Sequence, residues 1–180
     1  VKQIPLPVEI SQYMTFESFF VGQNSALIDA LNAQDQKLIW ITAETGNGKT
    51  HLLSSLCNQY DLDNKRIQYL SMNDSDDYSP EIIEGLEGLD LIAIDDIDCV
   101  IGQYTWEEKL MVLYESILNS NTRLIMASKK TPKSLNFQIP DLASRFSLGL
   151  LFKINPLDDD ELVVAIQYHA NARGFDLPDD

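Results

Sequence analysis

The sequence predicts an α/β fold built on a doubly wound parallel sheet, and three observations carry that prediction. Short apolar runs alternate with helical patterns along the chain. The first run, Leu38-Ile39-Trp40-Ile41, passes through Ala43-Glu44-Thr45-Gly46-Asn47-Gly48-Lys49-Thr50 into His51-Leu52-Leu53, which reads as strand, glycine loop, helix. A later run, Leu89-Asp90-Leu91-Ile92-Ala93-Ile94, ends in Asp95-Asp96, and the carboxyl ends of strands are where open α/β sheets bind ligands. At 180 residues and 44% apolar content, the chain is long enough for one domain with a sizeable core.

Taken in order, the opening Val1 to Tyr13 contains Pro5 and Pro7, which fix φ and bias their neighbours to extended geometry. It reads either as an exposed linear peptide, with Gln3 as a hydrogen-bonding head and Ile4 and Leu6 as apolar anchors, or as a terminus lying on the domain. Phe16, Phe19, Phe20 and Val21 precede Gly22 and a helix from about Asn24 to Asn32. This segment, with Val21 and Gly22, suits an apolar wall for a purine ring, or else part of the core.

The glycine loop has a definite chemistry. Gly46 and Gly48 let backbone N–H groups turn inward around a phosphate, Lys49 supplies charge for the β and γ phosphates, and Thr50 supplies a hydroxyl for Mg²⁺. Asn47 and His51 complete the loop's phosphate-facing set. One departure stands out: Ala43 occupies the place of the first glycine.

The following helix runs from Thr50 to about Asn58, and a strand spans Arg66 to Met72. Asp74, Asp76 and Asp77 read as a solvated loop rather than a metal site. A short helix is expected over Ile82 to Leu89, before the strand that ends in Asp95-Asp96. There Asp95 is expected to hold Mg²⁺ through water, and Asp96 to orient or deprotonate an attacking water.

Thr105 and Glu108 form a capping box for a helix whose core stripe is Trp106, Leu110, Leu113, Tyr114, Ile117 and Leu118. Thr122 to Ser128 is a strand, ending at Ser128, Lys129 and Lys130, which sense nucleotide state or face solvent. Pro140 to Phe146 is a short helix carrying Arg145, and Leu150 to Ile154 is the last strand. Asp158 and Glu161 cap a final helix to about Arg173, with Gly174 at its C′ position.

A net charge of −15 and a pI near 4.3 exclude a broad cationic nucleic-acid footprint, so no direct sequence-specific DNA contact is expected. Cys57 and Cys99 lack metal or CxxC spacing and read as reduced and buried. With no signal peptide or spanning helix, the reading is cytoplasmic, away from membranes.

Together, Gly46-Asn47-Gly48-Lys49-Thr50-His51-Leu52-Leu53, Ile94-Asp95-Asp96-Ile97 and Ser144-Arg145-Phe146 resemble the AAA+ core of the bacterial replication initiator DnaA. Thr15-Phe16-Glu17-Ser18-Phe19, Asp95-Asp96-Ile97-Asp98-Cys99, Pro140-Asp141-Leu142-Ala143-Ser144-Arg145 and Arg173-Gly174-Phe175-Asp176-Leu177-Pro178 are similar to the shorter Hda branch of that family, the regulatory inactivators of DnaA. The resemblance implies a clamp-binding tail over 1–13 and an AAA+ base domain over 14–180, without the helical lid of other members. It also implies bound ADP or ATP with Mg²⁺, and as partners the DNA polymerase sliding clamp, through Gln3, Ile4 and Leu6, and DnaA. It allows a homodimer. Arg145 corresponds to the family's arginine finger, directed at a neighbour's nucleotide; on its own residues it reads equally as a helix-end arginine in a surface ion pair. Lys129 follows Ser128 where initiators carry aspartate, so weak or no hydrolysis by the chain itself is expected.

Overall fold

In the computed structural model, which describes residues 11–172, five parallel strands form one sheet in the order β2-β3-β4-β1-β5. The elements in chain order are α1 (Ser25–Asn32), β1 (Leu38–Thr42), α2 (Lys49–Leu62), β2 (Ile67–Ser71), β3 (Leu91–Asp95), α3 (Tyr104–Leu118), β4 (Arg123–Ser128), α4 (Pro140–Phe146), β5 (Leu150–Lys153) and α5 (Asp159–Ala172).

The central strands are apolar on both faces because both faces are covered. Ile39, Ile41, Leu91, Ala93, Ile125 and Ala127 pack with Leu27 and Leu31 of α1 and Leu52, Leu53 and Leu56 of α2. The alternate residues Trp40, Ile92, Ile94, Leu124 and Met126 pack on the other side with Trp106, Leu110 and Leu113 of α3 and Leu142 and Phe146 of α4. This alternation makes the sheet doubly wound. Since every strand runs the same way, the tips of β1, β3 and β4 meet on one rim, and the site is assembled there.

Four local expectations need correction. Helix α3 begins at Tyr104 after the N-cap Gln103, two residues sooner than the Thr-x-x-Glu pattern suggests, so Thr105 lies inside its first turn and makes no cap bond; the chain turns at Gly102 (φ 95°). The segment Ile82 to Leu89 is not a helix but two 3₁₀ turns, Pro80–Ile83 and Leu86–Gly88, split at Gly85, whose left-handed φ of 76° breaks the run. Residues Met72–Asp77 form a 3₁₀ turn in which Asp74, Asp76 and Asp77 are exposed, in keeping with the solvated reading. Leu118, at the end of the α3 stripe, is 54% exposed, since the helix terminates there at the surface. Cys57 is buried, its thiol pushed up to about 12 by desolvation, but Cys99 is exposed in the turn Ile97–Cys99 beyond β3. The Asp158–Glu161 box does form, with reciprocal bonds of 3.1 and 2.8 Å. The tail residues Gln3, Ile4 and Leu6, and Arg173 and Gly174, lie outside the described residues. No helix among those described is long and apolar enough to cross a membrane.

Candidate nucleotide site

The loop between β1 and α2 turns on Gly46 and Gly48, both at φ 89°. At Gly48 the left-handed backbone is joined by a steric demand, because an added Cβ would sit 2.8 Å from Cε2 of Phe19. Phe19 in turn meets His51 edge-on, with centroids 5.5 Å apart, and His51 Nε2 lies 3.0 Å from both Ser18 Oγ and the Thr15 carbonyl. The segment before the first helix is thus folded down over the loop by contacts to α2.

Lys49 opens α2 and is buried, with its ammonium donating to the carbonyls of Ala43 (2.8 Å) and Glu44 (3.3 Å). The residue at the unusual Ala43 position therefore contributes through its backbone. Thr50 Oγ1 donates to Asp95 Oδ2 at 2.5 Å, which joins the loop to the tip of β3. Asp95, 2% exposed, also accepts from Tyr69 Oη (3.0 Å) and, through Oδ1, from the Asp96 amide (3.0 Å). Three donors offset the loss of hydration that burial imposes on this carboxylate. The Tyr69 hydroxyl is raised well above its ordinary range, first by burial and then by the Asp95 charge.

Asp96 follows in left-handed geometry (φ 48°) and accepts from Asn73 Nδ2. Burial and the neighbouring Asp95 raise its carboxyl above the usual aspartate value, with Lys49 pulling the other way. Lys49, Thr50, Asn73, Asp96 and Lys129 line one cavity of about 480 Å³ together with the glycine turn. Lys129 is exposed, and its amide donates to Asp98 Oδ1 at 3.2 Å.

A second cavity, of about 320 Å³, adjoins the same turn on the other side, where Gly46, Asn47, Gly48 and His51 share it with Phe19, Phe20, Ile154, Leu162 and Ile166. It is apolar, as a purine ring requires. Val21 and Gly22 are not part of its lining. Gly22 lies against Leu157, which lines the cavity, and Glu161, and the aromatic part of the lining comes from Phe19 and Phe20 of the same segment.

The donor set fits magnesium on its chemistry. That ion favours hard oxygens and is usually held by one or two protein groups plus phosphate oxygens and waters. The Thr50 hydroxyl and the Asp95 carboxylate converge at 2.5 Å, and among the described residues no cluster of three or more His, Cys, Asp or Glu offers a rival all-protein site.

Arg145 stands apart from this rim, at the end of α4. Its Nε donates to Asp141 Oδ2 (2.7 Å), its Nη1 to Glu115 Oε1 (3.0 Å), and its guanidinium lies 5.7 Å from the Tyr114 ring centroid. The side chain is 30% exposed, and the bond to Asp141 is the main cause that holds its proton more tightly still.

Several members of the site escaped the sequence reading. Tyr69 is an apolar-facing strand residue by pattern, Asn73 belongs to a segment read as solvated, and Leu162 and Ile166 come from a helix more than a hundred residues after the loop. The one usable signal was Asn73 itself, a polar residue just past the end of a parallel strand.

A model of the bacterial DnaA ATPase domain matches residues 10–153. Among solved structures, domain III of the replication initiation protein DnaA from Thermotoga maritima superposes with a TM-score of 0.75 at 25% identity, covering 92% of this chain and 77% of that one. AMPPCP-bound DnaA from Aquifex aeolicus gives a TM-score of 0.79 at 23% identity, covering 94% of this chain. This chain spans only 58% of that Aquifex protein. DnaI gives 0.66 at 13% identity, covering 84% and 93% of the two chains, a likeness of fold alone.

Proposed function

This chain belongs to the bacterial DnaA ATPase-domain family, and from that premise we propose that it binds an adenine nucleotide with Mg²⁺ and regulates replication initiation by acting on DnaA in trans. The observation that carries the first half is the Thr50–Asp95 contact beside the buried Lys49. In it, a phosphate cradle, a hydroxyl and a carboxylate occupy one rim.

In this reading the glycine turn and the α2 N-terminus bind the phosphates through backbone N–H groups. Lys49 leaves the carbonyls of Ala43 and Glu44 for the β and γ phosphates, while Thr50 and Asp95 hold magnesium, which screens phosphate charge when bound. Phe19, Phe20 and Ile166 enclose the base and exclude water. ADP and ATP both suit the cradle.

The second half rests on Arg145 and on the tail. Arg145 is half-buried at a helix end, with enough of its side chain at the surface for a second protein to reach its guanidinium. Set against DnaA's γ-phosphate, it stabilises the charge of phosphoryl transfer, an effect of about 10³ to 10⁵ in rate in well-studied cases. Gln3, Ile4 and Leu6 seat in a pocket of the sliding clamp as an extended peptide. The acidic chain leaves DNA contact to the clamp, and its role is the inactivator branch of the family.

The test is the DnaA ATPase rate in the presence of clamp, DNA and this chain. Arg145→Ala is expected to abolish stimulation while clamp and nucleotide binding persist, and Gln3→Ala with Leu6→Ala to abolish clamp binding first. Equal loss of all three activities in Arg145→Ala would contradict the assignment. A second reading, a stand-alone ATPase, draws on Asp96, whose carboxyl is raised and faces the Lys49 cavity. ATP turnover by the chain alone, lost in Lys49→Ala, would support that reading instead.

A further inference from the structure

The arginine at the end of α4 is held at two of its three guanidinium nitrogens. A guanidinium has five N–H donors in a rigid plane. Nε is taken by Asp141, one turn earlier on the same helix, and Nη1 by Glu115 of α3, while Tyr114 of α3 lies beneath the plane at 5.7 Å. No bond from Nη2 is formed among the described residues, so its N–H donors are left for an anion. The contact with Glu115 is the hydrogen bond that, beside the Tyr114 ring, ties this side chain to a different element. Below it the two helices are joined through the core, with Phe146 of α4 packed against Tyr114 at 6.1 Å. Deeper still, Glu107 of α3 accepts from the amides of Gln138 (3.1 Å) and Ile139 (2.7 Å), the residues that lead into α4.

We propose that Glu115 is a positioning residue: with Asp141 it fixes the Arg145 guanidinium so that its free Nη2 is presented to the terminal phosphate of a nucleotide bound by a second protein. The proposal rests on the trans-acting role of Arg145 given above. It assigns Glu115 no contact with that phosphate. Its carboxylate acts by geometry, as an acceptor on a neighbouring helix, and this separates it from a brake that parks the arginine: releasing a brake raises activity, whereas losing a support lowers it.

The experiment compares Glu115→Ala and Glu115→Gln in the stimulated ATPase assay with the full chain, clamp, DNA and ATP-bound DnaA. Glutamine keeps an acceptor oxygen for Nη1; alanine does not. Alanine is expected to lower the maximal stimulated rate about two- to fivefold, the range spanned by an exposed ion pair. The concentration at half-stimulation stays in place, and glutamine recovers most of the rate. In the Arg145→Ala background, Glu115→Ala is expected to add nothing. Side-chain NMR of the Arg145 Nε–H supplies a readout that needs no partner: its order falls in Glu115→Ala and is retained in Glu115→Gln. An unchanged or raised rate with alanine, equal loss with both variants, or a shift confined to the half-stimulation point overturns the proposal, as does an Nε–H order that ignores residue 115. Should Arg145→Ala itself leave stimulation intact, the trans-arginine reading falls, and the NMR comparison alone then decides the role of Glu115.

Discussion

The rim around Lys49 and the corner around Arg145 treat their cations in opposite ways. Lys49 is buried and satisfied by two backbone carbonyls, and its neighbour Asp95 is 2% exposed with three donors. Arg145 is 30% exposed and satisfied by two exposed carboxylates. In the first region fold and ligand draw on the same buried groups, so a change there costs both. In the second, the tip is outside the fold and only its support is buried, so function and stability come apart.

The largest effect should come from that buried support. Glu107 is wholly buried and accepts from Gly102, Gln138 and Ile139 amides at 2.7 to 3.1 Å. Glu107→Ala strands three N–H groups at roughly 1 to 3 kcal/mol each, so urea unfolding should show a loss of at least about 3 kcal/mol. A small loss would mean that water repairs the corner and that the contrast is weaker than drawn.

Gly48→Ala should come next, since it combines φ 89° with a Cβ 2.8 Å from the Phe19 ring. Left-handed backbone in a non-glycine residue costs about 1 to 2 kcal/mol, and displacing Phe19 also opens the apolar cavity. Nucleotide affinity and melting temperature should therefore fall together. A loss in only one would separate fold from ligand in the region where they are held to coincide.

Arg145→Ala should change unfolding free energy by no more than about 0.5 kcal/mol, as exposed ion pairs contribute little. A larger destabilisation would make Arg145 structural. The smallest effect is a pH dependence at Asp96. Because its folded carboxyl is raised, the folded state holds that proton more tightly. The associated stability is present below the ordinary aspartate range and lost as pH rises through the folded value. Asp96→Asn should flatten that decline in a series of urea titrations; an unchanged slope would assign the decline to other groups.

What could be read ahead of the coordinates follows the same division. The strands, the glycine turn, Lys49, Thr50 and Asp95 are local patterns, and each lies where its motif implies because strand, loop and helix are contiguous. Tyr69, Asn73 and Ile166 reach the rim only through sheet order and the packing of α5, which no local spacing encodes. Which residues of the segment before α1 face the cavity depends on how that segment folds onto His51, and there Phe19 and Phe20 line it while Val21 and Gly22 do not. The start of α3 was misplaced because the turn at Gly102 and the Glu107 carboxylate, rather than a Thr side chain, organise it.

The central claim is that the chain's own nucleotide is held at Lys49 while Arg145 serves another protein's. Titration of a fluorescent adenine nucleotide with Mg²⁺ onto wild type, Lys49→Ala and Arg145→Ala tests it most directly. Loss of a charge-assisted contact worth about 1.5 to 3 kcal/mol should weaken Lys49→Ala by roughly 10- to 100-fold, with Arg145→Ala matching wild type. Equal affinity in wild type and Lys49→Ala, or a loss in Arg145→Ala as large as that in Lys49→Ala, would contradict it.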